Sequence, residues 1–235
     1  MQVIIPMAGL GSRFKSQGYK VPKPLIDIKG APMIQLVLNS LMIKGKYLFV
    51  VRPEIDIDSV HEVIKKEVKE YEFVITEELT DGPASSVLLC ENKLDQSDEL
   101  VIANCDQIMD WDSSSFLEAS KNNDGTVVTY YSQTPKNSYA KINQQKQVTE
   151  IKEKEVISNF SLNGIHHWQK AKFFIESAHK MIEANDRAPN GEFYVGPTYN
   201  YMISEGLSVG IYHIPSNHHH PVGTPSDLKR YLNNA

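Results

Sequence analysis

Short apolar runs alternate with amphipathic stretches through the first 106 residues, and that alternation restricts the chain to an α/β architecture. Residues 3–6, 47–51, 73–75 and 100–106 read as buried strands, because each is a short apolar run bounded by turn residues. Between them, Met33, Ile34, Val37, Leu38, Leu41 and Met42 recur at helical spacing behind Pro32, and residues 57–71 form a second amphipathic pattern. Such an order predicts a mostly parallel sheet whose ligands gather at the carboxyl ends of its strands. A helix is expected from Pro83. The remainder is less regular: strands at 126–131, 163–166 and 209–214, a hairpin over 139–156 turning near Gln144 and Gln145, helices at 173–183 and 199–203, and a terminal helix opening at Pro225. With no internal repeat or long linker, one elaborated domain over 1–235 is expected, its halves being 1–110 and 111–235.

Composition narrows the function classes. A net charge of -5 without a basic stripe argues against nucleic acid as a partner. No apolar stretch reaches the length of a membrane span, and the amino terminus enters a strand without the charged region of a signal peptide. A cytoplasmic protein is therefore expected, in which Cys90 and Cys105 are buried free thiols.

Against the acidic background, the first strand runs into Ala8-Gly9-Leu10-Gly11-Ser12-Arg13-Phe14, with Lys20-Val21-Pro22-Lys23-Pro24-Leu25 following. Glycines let backbone N–H groups approach an anion, and Arg13 and Lys23 supply charge along a phosphate chain. Phe14 stands where a dinucleotide fingerprint needs its third glycine, and no Gly-Lys-Ser/Thr triplet follows, so neither a Rossmann oxidoreductase nor a P-loop is indicated. Asp106, taken alone, reads as a helix cap or turn residue. His218-His219-His220 reads as an incidental loop or a phosphate contact, since consecutive rings rarely converge on one metal.

Gly9-x-Gly11-x-Arg13-Phe14 followed by Pro22-Lys23-Pro24-Leu25 resembles the sugar-phosphate nucleotidyltransferases, the nucleoside diphosphate-sugar pyrophosphorylases, over essentially the whole chain. The resemblance implies a Rossmann-like three-layer fold, a mixed, mostly parallel central sheet with a smaller β-rich elaboration on the acceptor side. It assigns the triphosphate to Ala8, Gly9, Leu10, Gly11, Ser12 and Arg13, the leaving pyrophosphate to Lys23, and Mg²⁺ to Asp106. Gly82-Pro83-Ala84 stands for a base-reading turn, and Glu77 replaces a Gln that reads the base. A carboxylate only accepts, which suits the amino group of cytosine and points to CTP; a solvated Glu is the alternative. Val148-x-x-Ile151-x-Glu153-Lys154 resembles a segment whose Lys meets the acceptor phosphate, with Glu155 in place of its Pro; Lys141 and Lys152 are competing cations on the same hairpin. Asn163-Gly164-Ile165-His166 resembles an acceptor-lining segment. Glu192, in Gly191-Glu192-Phe193-Tyr194, corresponds to a residue that holds an ammonium group or caps a helix. Gly223-Thr224-Pro225-Ser226-Asp227-Leu228 matches a terminal motif, but Pro221 stands where the family often places a second metal carboxylate.

The resemblance thus implies a Mg²⁺-dependent nucleotidyltransferase, favouring CTP, in which Arg13, Lys23 and Lys154 carry the transfer. Its acceptor is a sugar phosphate or a small zwitterionic phosphate of the phosphocholine or phosphoglutamine kind, in a capsule or surface-polysaccharide pathway, with a homodimer as the candidate assembly. A catalytically silent nucleotide-binding module and a UTP- or dTTP-using hexose 1-phosphate pyrophosphorylase are the competing expectations.

Overall fold

The computed structural model describes residues 1–234. Strand β1 (Gln2–Pro6) leads through a one-turn helix α1 (Ser12–Lys15) to a small hairpin, β2 (Asp27–Ile28) and β3 (Ala31–Pro32). Lys29 and Gly30, at φ 54° and 90°, supply the two left-handed residues that a tight two-residue hairpin turn requires. Helix α2 (Met33–Leu41), β4 (Lys46–Val51), α3 (Ile57–Glu67) and β5 (Tyr71–Ile75) follow. The Asp56 carboxylate caps α3 by accepting from the Ser59 N–H at 3.1 Å. Val68 turns extended and ends it, so Tyr71, expected inside the helix, pairs with Tyr47 in the sheet.

Next come α4 (Pro83–Leu88), β6 (Leu100–Ala103), β7 (Gln107–Met109), α5 (Ser113–Ser120), β8 (Gly125–Tyr131), β9 (Ser138–Ile142) and β10 (Val148–Glu153). The chain closes with β11 (Phe160–Trp168), α6 (Ala171–Glu183), α7 (Thr198–Ser204), β12 (Val209–His213), β13 (His219–Pro221) and α8 (Pro225–Asn234). Strand β6 stops at Ala103, three residues short of the expected Asp106, where β11 is irregular around Gly164; the Asn104 N–H still donates to the Gly164 carbonyl at 3.1 Å.

Among the described residues, a nine-stranded sheet runs β10-β9-β11-β6-β1-β4-β5, with β8 joined to β11 and β12 to β8. Strands β5, β4, β1 and β6 are mutually parallel, as are β8 and β12, while β11 runs against β6, β8 and β9. The result is a mixed, mostly parallel sheet.

Strand alternation builds the layers. Ile4, Leu48, Val50, Leu100 and Ile102 face α4, α6 and α7 through Val87, Phe174 and Met202. Their neighbours Val3, Ile5, Phe49, Val51 and Val101 face α2, α3 and α5 through Leu38, Ile64 and Phe116. This is the three-layer α/β arrangement. A third, smaller cluster joins Phe14, Ile26, Met33, Ile108, Val222 and Leu228, and so ties the amino-terminal loop to β7 and α8.

Candidate active site

The carboxyl end of β1 opens into the site. The Met7 N–H still donates to the Val50 carbonyl at 2.7 Å and Ala8 stays buried, but Gly9 and Leu10 are exposed. Gly11 is left-handed at φ 61° and starts α1. Phe14 anchors the turn: it is 2% exposed and meets the Tyr19 ring edge-on at 5.1 Å. With Phe14 buried, Arg13 stays exposed at the lip of a cleft, beside Ser12.

That cleft has two adjoining compartments of about 390 and 760 Å³. The smaller is lined by the glycine loop, Leu79, Thr80, Gly82, Pro83 and Glu192. The larger is lined by Asn137, Glu153, Asn163, Gly164, His166, His219 and the start of α8, among others. Arg13, Lys23, Asn104, Asp106, Tyr194 and Gly223 border both.

At this junction the Lys23 ammonium is hydrogen-bonded and ion-paired to Asp106 Oδ2. Burial by itself would lower the Lys23 pKa, but the Asp106 carboxylate, with Cys105 and the hydrogen bond adding to it, pushes it up to about 12. The other carboxylate oxygen, Oδ1, accepts from Gln107 Nε2 at 3.2 Å, and the Asp106 carbonyl accepts from the Val222 N–H at 2.9 Å. Gly223 backs the carboxylate so closely that a Cβ there would lie 2.3 Å from Oδ2.

The turn at Gly82 is held from the far side of the chain. Ala84 N–H donates to the Phe193 carbonyl at 3.0 Å, and Phe193 N–H to the Asp81 carbonyl at 2.7 Å. Arg187 braces the arrangement through Asp81 Oδ2 and the Gly191 carbonyl while its guanidinium lies 4.1 Å over the Phe193 ring. Gly82 sits at φ 124°, and a Cβ would meet the Phe193 carbonyl oxygen at 2.5 Å. Gly82→Ala therefore combines backbone strain with a clash against another backbone, and should destabilise the fold by about 3 kcal/mol. That corresponds to a melting temperature roughly 6–12 °C lower in a chain of this size, measurable by differential scanning calorimetry. A shift under about 2 °C would show that the turn is not held as tightly as its geometry implies.

In the larger compartment, Glu153 is 9% exposed and accepts from Ser138 Oγ; burial, with Glu192 adding to it, raises its pKa. Lys154, at φ 60°, turns away from the ladder and donates to the Tyr194 hydroxyl at 2.8 Å, which also accepts from Asn190 at 3.0 Å. Asn163 is buried, and its Oδ1 accepts from the Ile165 N–H at 3.0 Å. Gly164, at φ 90°, makes the bulge in β11; a Cβ there would lie 2.1 Å from Asn104 Nδ2. His166 sits beside the stacked Trp168 and Tyr199 rings, 5.9 and 5.8 Å from them between centroids, and burial depresses its pKa to about 3, so it stays neutral.

Most of the expected site residues converge. Gly9, Gly11, Ser12, Arg13, Lys23, Gly82, Pro83, Asp106, Asn163, Gly164 and Glu192 line the cleft, and Ala8 borders the smaller compartment. Leu10 and Ala84 flank lining residues. Lys154 stands behind Tyr194, one shell from the cavity.

Two expected site residues stand outside the cleft lining. Glu77 is exposed and lines neither compartment, because the loop after β5 turns inward only at Leu79 and Thr80. Lys141 lies exposed on β9 and also misses the cleft; alternation along a strand sends Lys141 and its cleft-lining neighbour Ser138 to opposite sides. Lys136 lines the larger compartment instead.

The three His are not a loose loop either. His219 and His220 belong to β13, which pairs with β7, and no group of three or more His, Cys, Asp or Glu able to hold a metal occurs among the described residues. Tyr130, Asn137 and Arg230 also line the cleft and had no motif of their own.

The nucleotidyl transferase family model matches residues 2–195, a span that holds the glycine loop, Lys23, Asp106 and Glu192. The chain belongs to that family. It is 25% identical over 233 residues to the bifunctional protein GlmU of Methanocaldococcus jannaschii, covering 97% of this chain and 52% of that protein. The chain thus spans about half the length of the curated GlmU relatives it matches. Over 42 residues, 18% of this chain and 17% of the other, it is 48% identical to a 2-aminoethylphosphonate cytidylyltransferase of Lancefieldella rimae. In fold it is similar to a nucleoside-diphosphate-sugar pyrophosphorylase from Vibrio cholerae, with a TM-score of 0.89 at 23% identity, covering 99% and 100% of the two chains. No helix among the described residues is long and apolar enough to cross a membrane.

Proposed function

We propose that the chain transfers a nucleotidyl group from a nucleoside triphosphate to a phosphorylated small molecule and releases pyrophosphate. The observation that carries this reading is the Lys23–Asp106 pair at the junction of the two compartments, facing the glycine loop on one side and a polar pocket on the other. An acceptor phosphate oxygen attacks the α-phosphorus, a new P–O bond forms, and the bond to the bridging oxygen breaks as pyrophosphate leaves. The acceptor phosphate is already largely ionised near neutrality, so no protein base needs to take a proton. The chain's own contribution is to align two anions and offset their repulsion. Arg13 and the amides of Ala8 to Ser12 hold the triphosphate, Lys23 meets the pyrophosphate, and Lys154 orients the acceptor side through Tyr194.

The donor set fits Mg²⁺, which takes one or two protein carboxylates and fills its shell with phosphate oxygens and water. Asp106 would hold it; Pro221 has no side-chain donor to add. When bound, the ion supplies charge neutralisation on the phosphate oxygens.

CTP is the proposed donor, supported by the name of the Lancefieldella relative. The acceptor is a sugar phosphate or a small zwitterionic phosphate, the latter favoured by Glu153 and Glu192 together on the cleft wall. A role in capsule or surface-polysaccharide precursor synthesis and a single-domain organisation belong to the same reading.

The test is pyrophosphate release with Mg²⁺, each of CTP, UTP, dTTP and GTP, and a panel of phosphorylated acceptors. Release above background for a CTP pairing is expected; release only with UTP or dTTP would overturn the base assignment. Tight nucleotide binding without release across the panel would favour a silent module, a reading that Pro221 and Glu155 keep open. Because Glu77 is exposed and does not line the cleft, Glu77→Gln should leave the CTP-to-UTP preference within about twofold in the same assay.

A further inference from the structure

The sequence His218-His219-His220 finds no part in the transfer chemistry, yet His219 is 8% exposed and tied to the centre of the site. Its Nε2 lies 2.5 Å from Gln107 Oε1, and Gln107 Nε2 lies 3.2 Å from Asp106 Oδ1. The ring is held from two directions: β13 pairs His219 with Met109, and the Tyr130 ring packs 4.3 Å away between centroids. His220 secures the same ribbon by contact with Asp110 Oδ2 at 2.9 Å.

The order of donors in this chain is forced. A carboxylate only accepts, so Gln107 must turn its NH₂ group toward Asp106 and its oxygen toward His219. The imidazole must then donate from Nε2. Asp106 is further constrained by Lys23 on Oδ2, so a free Gln107 amide would decide which way the remaining lone pairs of Oδ1 point.

We propose that His219 is a positioning residue: acting through Gln107, it fixes the orientation of the Asp106 carboxylate. The proposal rests on the nucleotidyl-transfer reading for its purpose, but not for its geometry. Partners behind a metal ligand commonly change metal affinity by 10–100-fold when removed.

The test uses the full chain. His219→Phe keeps a ring against Tyr130 and removes the donor. With CTP present and no acceptor, Mn²⁺ affinity read by electron paramagnetic resonance should fall about tenfold, while metal-free CTP binding stays within about twofold. His219→Gln, which keeps an N–H at similar reach, should recover most of the loss. Gln107→Met should match His219→Phe, and the double variant should lose no more than either, because the groups act in series. Unchanged Mn²⁺ affinity in a folded His219→Phe, or additive losses in the double variant, overturns the proposal. If His219→Phe does not fold, Gln107→Met decides alone by the same criterion. Independently of nucleotide, ¹⁵N NMR of the free protein should find the His219 proton on Nε2. The Nδ1–H tautomer would overturn the chain of donors even if CTP turnover were confirmed; failure of the wild type to bind CTP, with Nε2–H present, counts against the nucleotide reading instead.

Discussion

Lys23→Met is expected to lower kcat/KM for pyrophosphate release by roughly 10²–10³-fold, the loss typical when one fixed electrostatic donor is removed from a transition state. The substitution keeps the aliphatic stem, and the neighbouring Pro24 is buried, so the loop that carries it should persist. The ammonium is placed where it can exchange Asp106 for the departing pyrophosphate. It neutralises a carboxylate whose own side chain is only 17% exposed. Removing it leaves that carboxylate with Gln107 as its remaining side-chain partner, which should cost about 1–3 kcal/mol of stability. Turnover should therefore fall far more than the melting temperature. Near-normal turnover in a folded variant would remove Lys23 from the mechanism.

The pH dependence of the same pair follows from the direction of its shift. Lys23 is raised from 10.5 to about 12, so its contribution to stability is complete below pH 10.5 and fades as pH climbs through 12. Chemical denaturation at pH 7 and pH 9 should give the same difference between wild type and Lys23→Met. A difference that shrinks across that interval would mean that Lys23 titrates earlier than its pairing with Asp106 allows.

Much of the first half was legible because its determinants are local. Continuous apolar runs such as Tyr47–Val51 within β4, and helical spacing from Met33 to Leu41, announce themselves at short range. Gly11 and Asp106 follow strands on one edge of a parallel sheet, so topology brings them together, whereas Lys23, in a short turn after α1, and the metal role of Asp106 were legible only through the motifs shared with the resembled family. What was not legible depends on partners distant in the chain. The β7–β13 ribbon is three residues on each side, separated by over a hundred positions, and neither strand has a pattern of its own. Glu77 and Lys141 stand outside the cleft lining for a simpler reason. One step along a strand such as that of Lys141 reverses where a side chain goes, and a loop such as that of Glu77 has no period to read.

Gly223→Ala separates site geometry from fold stability more sharply than any charge removal. Gly223 does not occupy the left-handed region, so alanine brings no backbone strain; its entire cost is the methyl group's collision with Asp106, 2.3 Å from Oδ2 and 3.0 Å from Cγ. The carboxylate has to rotate, which breaks its contacts with Lys23 and Gln107 together. A displacement of about 1 Å at such a group costs on the order of 10²-fold in rate. The melting temperature should fall no further than in Gly82→Ala, where the obstacle is the rigid Phe193 backbone and nothing can swing aside, while the loss of rate should be far larger than that fall alone explains. An Asp106→Asn background supplies the control. Once the carboxylate no longer serves, adding Gly223→Ala should cost little further activity, because both changes act on one group. Independent, additive losses would mean that Gly223 serves the cleft in some way other than making room for Asp106.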